Sequence, residues 1–243
     1  MVPDKKLREF KPTNPKGYKA LFERRAALIP TLRMQKALAA EDRAAVEPFP
    51  VHGTAKGILR RTVQILKRHR DVHFLEVVEE IAPISIIITT LAAQSYEYCV
   101  KSFVFDSELD VLIATIRLMP HFIDKPVVNG RRIYVVANET TVGENFAERW
   151  NTEPARAAAF YEWHAKALAD FEALPDMQGI DVIGKSLEGS LGSSVVRKVI
   201  DARTDSISQA RTAKKLYVAP TVGLTLSSAA NATPVRSNTF FGD

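Results

Sequence analysis

The sequence predicts a mainly α-helical fold with a minor β element. Apolar residues recur at steps of three and four along most of the chain, and this spacing places them on one face of a helix. Glycine is scarce, at 11 of 243 residues, whereas an all-β architecture with many tight turns needs more of it. The extended pattern of a strand pair is confined to one stretch, Lys125 to Ala137.

Composition bounds the class of protein. The chain is 46% apolar and 25% charged, which is ordinary for a soluble globular protein. Cys99 is the only cysteine, so no internal disulfide can form, and we expect a cytoplasmic location. The longest apolar run, Pro83 to Ala93, is much shorter than the ~20 residues of a membrane span. The charged N-terminus has no apolar signal core, so no membrane partner is expected.

The first half of the chain has three helical stretches. Residues Tyr18 to Leu38 have a helical pattern that Pro30 breaks or kinks. The pattern returns from Gly57 to Phe74, and a third stretch runs from Pro83, a favoured residue for a first helical turn, to Phe103. The apolar stripe of the second stretch consists of Leu59, Val63 and Leu66.

The second half contains the strand pair and further helices. Ser107 and Asp110 form a capping-box-like start to a helix that reaches Met119. In the strand pair, Asn129-Gly130 is the turn and Arg131 to Val136 a short strand. Helical patterns follow at Gly143–Trp150, after Pro154, at Asp181–Leu187, at Ser193–Ala202 and at Asp205–Leu216. The stretch after Pro154 carries an apolar stripe of Phe160, Trp163, Ala167, Phe171 and Leu174.

The domain organisation follows from these patterns. We expect one helical domain over residues 1–218. Residues 219–243 are rich in Ser, Thr, Ala, Gly and Asn, and we expect them to form an irregular tail.

The residues most suggestive of chemistry lie in the second and third helical stretches. Between Gly53 and Asp71, six lysines and arginines stand against one acid. Lys67 is expected to face one side of its helix, with Arg68 and Arg70 pointing away from it. Ser85 lies in the first turn of the next helix, where unpaired N–H groups and the helix dipole favour an anion.

Two interpretations of this pair remain open on the pattern alone. Lys67 and Ser85 could together hold a triphosphate, because an ammonium and a hydroxyl both donate to phosphate oxygens. The alternative is a solvated basic face beside a capping serine, and the bare pattern favours this second interpretation.

Five pieces of the sequence resemble the cyclic-GMP-AMP-synthase-like nucleotidyltransferases of bacteria, the CD-NTase family. They occur in the family's order and extend over nearly the whole chain. The pieces are Thr13-Asn-Pro-Lys-Gly-Tyr18, Val63-Gln-Ile-Leu-Lys-Arg-His-Arg-Asp71, Pro83-Ile-Ser-Ile-Ile-Ile-Thr-Thr90, Glu144-Asn-Phe-Ala-Glu-Arg-Trp150 and Thr239-Phe-Phe-Gly242.

The resemblance implies that the chain is the helical C-terminal lobe of a two-lobed nucleotidyltransferase. Enzymes of this family bind nucleoside triphosphates such as ATP between a catalytic core and a helical domain. They join these nucleotides into cyclic di- or trinucleotide messengers of antiphage defence. By this likeness, Lys67 and Ser85 contact the donor triphosphate. Nucleoside triphosphates and an N-terminal nucleotidyltransferase half are then the expected partners, and nucleic acid is not.

One part of the family's pattern is absent from the sequence. The resemblance implies a Gly-Ser turn followed by an Asp-x-Asp pair and a third aspartate, which hold two Mg²⁺ ions. Gly189-Ser190 is not followed by such a pair. The acids of Asp106–Asp110 belong to a helix start, and Asp170 and Glu172 face different directions on a helix. We therefore expect no catalytic and no metal-binding residue here, and no activity from this chain alone.

A rival hypothesis comes from a different class of protein. A stand-alone, non-catalytic helical module could bind another protein or nucleic acid through the basic face. His69 and His73, four apart on one helical face, have the spacing of metal ligands, but no third ligand is within sequence reach. We interpret this histidine pair as packing or surface.

Overall fold

A computed structural model of the protein describes residues 2–4, 9–11, 13–33, 57–75, 81–219, 223–225 and 232–235. Contacts between residues divide the chain into two compact units, Met1–Met177 and Gln178–Asp243. The sequence prediction of one helical domain through residue 218 sets no boundary at this point. None of the helices in the described ranges is long and apolar enough to cross a membrane.

Within the described ranges, five α-helices build the first unit. They are α1 (Pro15–Ala26), α2 (Ile58–His73), α3 (Ser85–Ser102), α4 (Glu108–Leu118) and α5 (Pro154–Glu172). Helix α3 contacts α1, α2 and α4, while α5 packs on α2 and α4. Every residue of α3 from Ile87 to Ala93 is buried, because this stretch is apolar or hydroxyl-bearing all round. The core is therefore organised around α3.

Both apolar stripes predicted from the sequence face this core. Leu59, Val63 and Leu66 of α2 are buried. So are Phe160, Trp163, Ala167 and Phe171 of α5, whereas Leu174 lies past the helix end in a 3-10 turn, Leu174–Asp176. The sequence therefore correctly specifies the buried faces of α2 and α5.

Short strands connect the helices of the first unit. Strands β1 (Val2–Asp4) and β2 (Glu9–Lys11) pair antiparallel, and β3 (Thr31–Leu32) pairs parallel with β4 (Val104–Phe105). Strands β5 (Val127–Val128) and β6 (Arg131–Arg132) flank the predicted turn, and the strand predicted over Arg131 to Val136 is shortened to two residues. The turn residues Asn129 and Gly130 have φ values of 49° and 75°, as a two-residue hairpin turn requires. A 3-10 turn, Met119–Phe122, follows α4.

The second unit is a helical pair followed by strands. Helix α6 (Ile180–Leu191) is separated from α7 (Ser193–Thr212) by Gly192, whose φ is 85°. The helices approach closely at Gly184, where a Cβ atom would lie 2.7 Å from Cδ1 of Ile200. Strands β7 (Tyr217–Ala219), β8 (Gly223–Thr225) and β9 (Thr233–Pro234) form an antiparallel sheet in the order β8-β7-β9.

Several element predictions differ from the structure. Helix α1 ends at Ala26, four residues before the predicted break at Pro30, and residues 34–38 lie outside the described ranges. The patterns at Ser193–Ala202 and Asp205–Leu216 form one continuous helix that ends at Thr212. The residues predicted as an irregular tail include strands β8 and β9.

The predicted helix at Gly143–Trp150 is replaced by turns and a 3-10 turn, Glu148–Asn151. Asn145 explains the difference. Its side chain accepts from the N–H groups of Val136 and Ala147, each at 2.9 Å, and donates to the carbonyl of Tyr134 at 2.9 Å. These bonds tie the segment to the extended chain before it and compete with helical hydrogen bonding.

Candidate functional site

The candidate site lies where the last turns of α2 approach the first turn of α3. The apolar stripe of α2 is buried, and the opposite side of its C-terminal half carries charged residues. Lys67 and Arg70 are partly exposed on this side, and Asp71 is exposed. Ser85 is the first residue of α3 and is also exposed. The packing of α2 on α3 thus brings a basic helix end beside a helix N-terminus.

Arg70 connects the two helices. Its Nη1 atom donates to the carbonyl oxygen of Pro83 at 2.8 Å and to the hydroxyl oxygen of Ser85 at 3.2 Å. Its Nε and Nη2 atoms donate to Oδ1 of Asp71 at 2.8 and 2.6 Å. The guanidinium therefore spans the gap between the C-terminal end of α2 and the entry to α3.

The expectation that Arg70 points away from the site is wrong. Residues three apart on a helix lie on neighbouring positions of the same face, so Arg70 lies beside Lys67. The nearby charge of Arg70 affects the pKa of Lys67. Burial lowers the pKa of the Lys67 ammonium, the charge of Arg70 lowers it further, and Asp71 opposes both effects.

Lys67 forms no hydrogen bond or salt bridge within the part of the chain that the structure describes. Its nearest opposite charge, Asp71, is already engaged by Arg70. A partly buried ammonium without a bonded partner favours an anion from outside, because a second negative charge would relieve the unfavourable burial. Lys67 is therefore a candidate residue for binding an anionic ligand.

The start of α3 offers hydrogen-bond donors. Ile84 occupies the N-cap position, and no side chain caps the helix, so the first N–H groups depend on solvent or a ligand. Pro83 precedes the N-cap instead of standing in the first turn as predicted, and its carbonyl oxygen is held by Arg70. Ser85 thus combines an exposed hydroxyl with an uncapped helix N-terminus, where anions are favoured.

A cavity of about 520 Å³ adjoins these residues. Its charged wall is formed by Arg70 and Asp71. Its apolar wall consists of Phe74, Leu75, Ala82, Pro83 and Ile84. Because Arg70 also contacts Ser85, the cavity and the N-terminus of α3 share one residue.

The acidic stretches singled out in the sequence have separate structural roles. Asp106 pairs with Arg33 and Glu108 with Arg61, while Asp110 accepts a hydrogen bond from Ser107, the N-cap of α4. The acids of α5 behave alike: Asp170 contacts His69 and Lys166, and Glu172 pairs with Arg117. Gly189 and Ser190 belong to α6 and form no turn. Across the described ranges, no three His, Cys, Asp or Glu side chains converge as metal ligands.

A second polar cluster joins α1, α3 and the loop after β6, and sequence reasoning missed it. The Arg25 guanidinium, which is 8% exposed, pairs with Glu97 at 2.6 Å and with Glu139 at 2.8 Å. Burial raises the pKa of Glu97, but hydrogen bonds from Lys101 and Arg25 lower it more, so it ends below its usual value. Glu139 also accepts from Gln94 at 2.8 Å. The bonds of Arg25 with Glu97 and Glu139, and of Gln94 with Glu139, join residues 45 to 114 positions apart, so no local sequence signal connects them.

Two pieces of the family resemblance meet near this cluster. Asn14 caps α1 by accepting from the N–H of Gly17 at 2.9 Å and donates to the carbonyl of Thr140 at 3.3 Å. The rings of Tyr18 and Phe146 meet edge to face with centroids 5.8 Å apart. The piece that begins at Thr13 therefore packs beside the piece that contains Phe146, while residues 239–242 lie outside the described ranges.

Known proteins are similar to this chain in sequence and in fold. No protein-family model matches the sequence. The chain is 26% identical over all of its 243 residues to a c-di-GMP synthase of Roseivirga ehrenbergii, and it covers 60% of that protein. The fold matches the structure of the Bradyrhizobium diazoefficiens CD-NTase CdnG in complex with GTP, with a TM-score of 0.52 and 21% identity. That match covers 81% of this chain and 57% of the other.

The fold class predicted from the sequence is confirmed, and the similarities indicate a relationship to nucleotide-joining enzymes. The mainly α-helical fold with a minor β element is confirmed by the described elements. The structural match shows that the fold resembles that of a CD-NTase, and the sequence match indicates a relationship to a cyclic dinucleotide synthase. The chain spans less than two thirds of the length of either protein.

Proposed function

We propose that these residues form the helical C-terminal, nucleotide-binding part of a cytoplasmic nucleotidyltransferase that makes a cyclic dinucleotide for antiphage defence. The observation that carries the proposal is the contact of Arg70, which lies beside Lys67 on α2, with Ser85 at the uncapped N-terminus of α3. The similarity of all 243 residues to part of a c-di-GMP synthase and the likeness of the fold to a CD-NTase solved with GTP support it. The proposed ligand is a nucleoside triphosphate.

Each side chain of the proposed site has a distinct role toward the triphosphate. Lys67 places a positive charge against the phosphate oxygens and so offsets their mutual repulsion. The hydroxyl of Ser85 donates a hydrogen bond, and the first N–H groups of α3 add the positive end of the helix dipole. Together these groups bind and orient the phosphates.

The described carboxylates do not fit the two-metal centre that the family resemblance implies. Asp106, Glu108, Asp170 and Glu172 are each engaged by a cation of their own. We therefore derive no metal step from these residues. The proposal assigns Mg²⁺ and the carboxylates that hold it to a nucleotidyltransferase half not contained in these 243 residues.

The proposal is tested by titrating the purified chain with GTP and ATP by calorimetry. Lys67→Ala is expected to weaken nucleotide affinity by about tenfold to a hundredfold, the value of one charged hydrogen bond. Ser85→Ala is expected to weaken it less, because the backbone donors remain. Lys101→Ala serves as the control, since it removes the same charge from the other end of α3. Equal effects of Lys67→Ala and Lys101→Ala would contradict the assignment.

The proposed lack of catalytic activity in this chain is tested by a separate assay for nucleotide synthesis. Incubated with all four nucleoside triphosphates and Mg²⁺ or Mn²⁺, the purified chain is expected to make no oligonucleotide detectable by mass spectrometry. A product from pure protein would show that the catalytic carboxylates lie within these residues. A wild-type chain that binds no nucleotide would favour the stand-alone interaction module.

A further inference from the structure

We infer that Arg70 is a positioning residue that aims the hydroxyl proton of Ser85 at the bound phosphate. The inference rests on the proposed function of Lys67 and Ser85 and adds a residue whose role the family resemblance does not assign. The direction of the Ser85 hydroxyl proton follows from the hydrogen bonds that Arg70 makes to Ser85 and Pro83.

Most of the hydrogen-bond donors of Arg70 are already bonded to other residues of the protein. A guanidinium carries five N–H donors and no acceptor. Four of the five are used: two on Nη1 toward Pro83 and Ser85, one on Nε and one on Nη2 toward Asp71. The side chain is 16% exposed. Arg70 is thus a fixed structural bridge with at most one donor left for a ligand.

The contact with Arg70 settles how the Ser85 hydroxyl is used. Because the guanidinium can only donate, the oxygen of Ser85 must accept, and one of its two lone pairs is occupied. The single O–H bond of Ser85 therefore points away from Arg70. A hydroxyl whose oxygen accepts from a cation is also a stronger donor. Ser85 is left with an activated proton and no assigned acceptor among the described residues.

Two neighbouring hydroxyls of α3 donate to backbone carbonyls of the same helix, whereas Ser85 does not. Thr89 donates its proton to the carbonyl oxygen of Ser85 at 2.7 Å, and Thr90 donates to that of Ile86 at 2.8 Å. Each thus satisfies its donor one turn back along its own helix. Ser85 stands at the first position of α3, where no preceding helical carbonyl exists, so its donor remains available to a ligand.

Arg70 also fixes the distance between the two ligand-binding groups. It belongs to the same helix as Lys67, and it holds both Ser85 and the carbonyl of Pro83 two residues earlier. The planar guanidinium loses little freedom when it makes two contacts at once. The N-terminus of α3 is therefore held at a set position relative to the Lys67 ammonium before any nucleotide binds.

A double-mutant cycle separates this role from a direct contact between Arg70 and phosphate. If Arg70 acts through Ser85, Arg70→Ala weakens GTP affinity by about 3- to 10-fold, the value of a neutral hydrogen bond. The double variant Arg70→Ala/Ser85→Ala is then no weaker than the weaker single variant. If the losses multiply, Arg70 acts independently of Ser85 and the inference is overturned.

Further variants control for folding and for charge. Arg70→Lys keeps the positive charge but cannot make the planar double contact, so it is expected to lose most of the same affinity. It also replaces Arg70→Ala in the cycle if the alanine variant does not fold, as judged by thermal unfolding. Arg117→Ala, which breaks the exposed pair with Glu172, is expected to leave GTP affinity unchanged. Full affinity in Arg70→Lys would overturn the inference.

Failure of the inference and failure of the proposed function are distinguishable in this experiment. GTP binding that depends on Lys67 but shows multiplying losses for Arg70 and Ser85 overturns the inference alone. Wild-type protein that binds no GTP, or binding indifferent to Lys67, overturns the proposed function and the inference together.

Discussion

The indole N–H of Trp163 donates a 3.0 Å hydrogen bond to Nδ1 of His69, and both side chains are buried. Because Nδ1 accepts, the proton of the neutral imidazole must lie on Nε2, where it is donated to Oδ2 of Asp170 at 3.1 Å. The ring therefore has one partner on each nitrogen and joins α2 to α5. This network explains His69 as a packing residue, as its sequence setting suggested.

Replacement of His69 is expected to destabilise the protein. His69→Ala removes two hydrogen bonds, leaves the Trp163 donor unsatisfied and opens a cavity between α2 and α5. We expect the free energy of unfolding to fall by about 2–4 kcal/mol, measured by urea denaturation. The control is His73→Ala, because His73 lies one turn away on the same helix and is only partly buried. Equal losses for the two variants would contradict the role of the network.

Stability is expected to decrease in mildly acidic solution. Burial lowers the pKa of both His69 and His164, whereas the unfolded chain keeps the value of 6.5. Below pH 6.5 the unfolded state therefore binds more protons than the folded state, and the free energy of unfolding falls until the folded-state pKa is passed. Denaturation curves at pH 7.5 and 5.5 measure the change.

A variant identifies the source of this acid sensitivity. His164 donates from Nε2 to the carbonyl oxygen of Ile116 at 2.7 Å, and His164→Gln keeps a donor at this site without a titrating group. The variant is expected to lose less stability than the wild type between pH 7.5 and 5.5. An unchanged or steeper pH dependence would show that other groups control it.

Arg25 is expected to be the most sensitive residue of the second polar cluster. Arg25→Ala leaves the carboxylates of Glu97 and Glu139 without their shared cation, at a cost of about 2–4 kcal/mol of unfolding free energy. It is also expected to raise the pKa of Glu97. Arg24→Ala, on an exposed neighbouring position, is the matched control and is expected to change stability by less than about 0.5 kcal/mol. A small loss in both variants would contradict the importance of the cluster.

Local and repetitive signals predicted much of this structure. The spacing of Leu59, Val63 and Leu66 identified the buried face of α2, and Asn129-Gly130 identified the hairpin turn, because both depend only on nearby residues. The proposed site was predicted in part. Lys67 and Ser85 were singled out, but Arg70 was placed on the wrong side, although its three-residue offset from Lys67 puts it on the same face.

The remaining features depend on contacts that sequence patterns do not contain. The side chain of Asn145 converts a helical pattern into turns by bonding to the backbone of Tyr134, Val136 and Ala147. The pairing of Arg25 with Glu139 joins residues 114 positions apart. Neither follows from the spacing of apolar residues, because Asn145 bonds to backbone groups up to 11 positions away and Arg25 bonds to acids that only the folded chain brings beside it.

The anchoring of α1 has a consequence for biosynthesis. Asn14 at the start of α1 bonds to Thr140, 126 positions later in the chain. A ribosome that adds about 5–20 residues per second needs about 6–25 s to cover that interval. During this time α1 has left the exit tunnel without its acceptor, and a 12-residue helix is marginal by itself in water. Helix α1 is therefore translated well before Thr140, and the bond from Asn14 cannot form until the segment around Thr140 emerges.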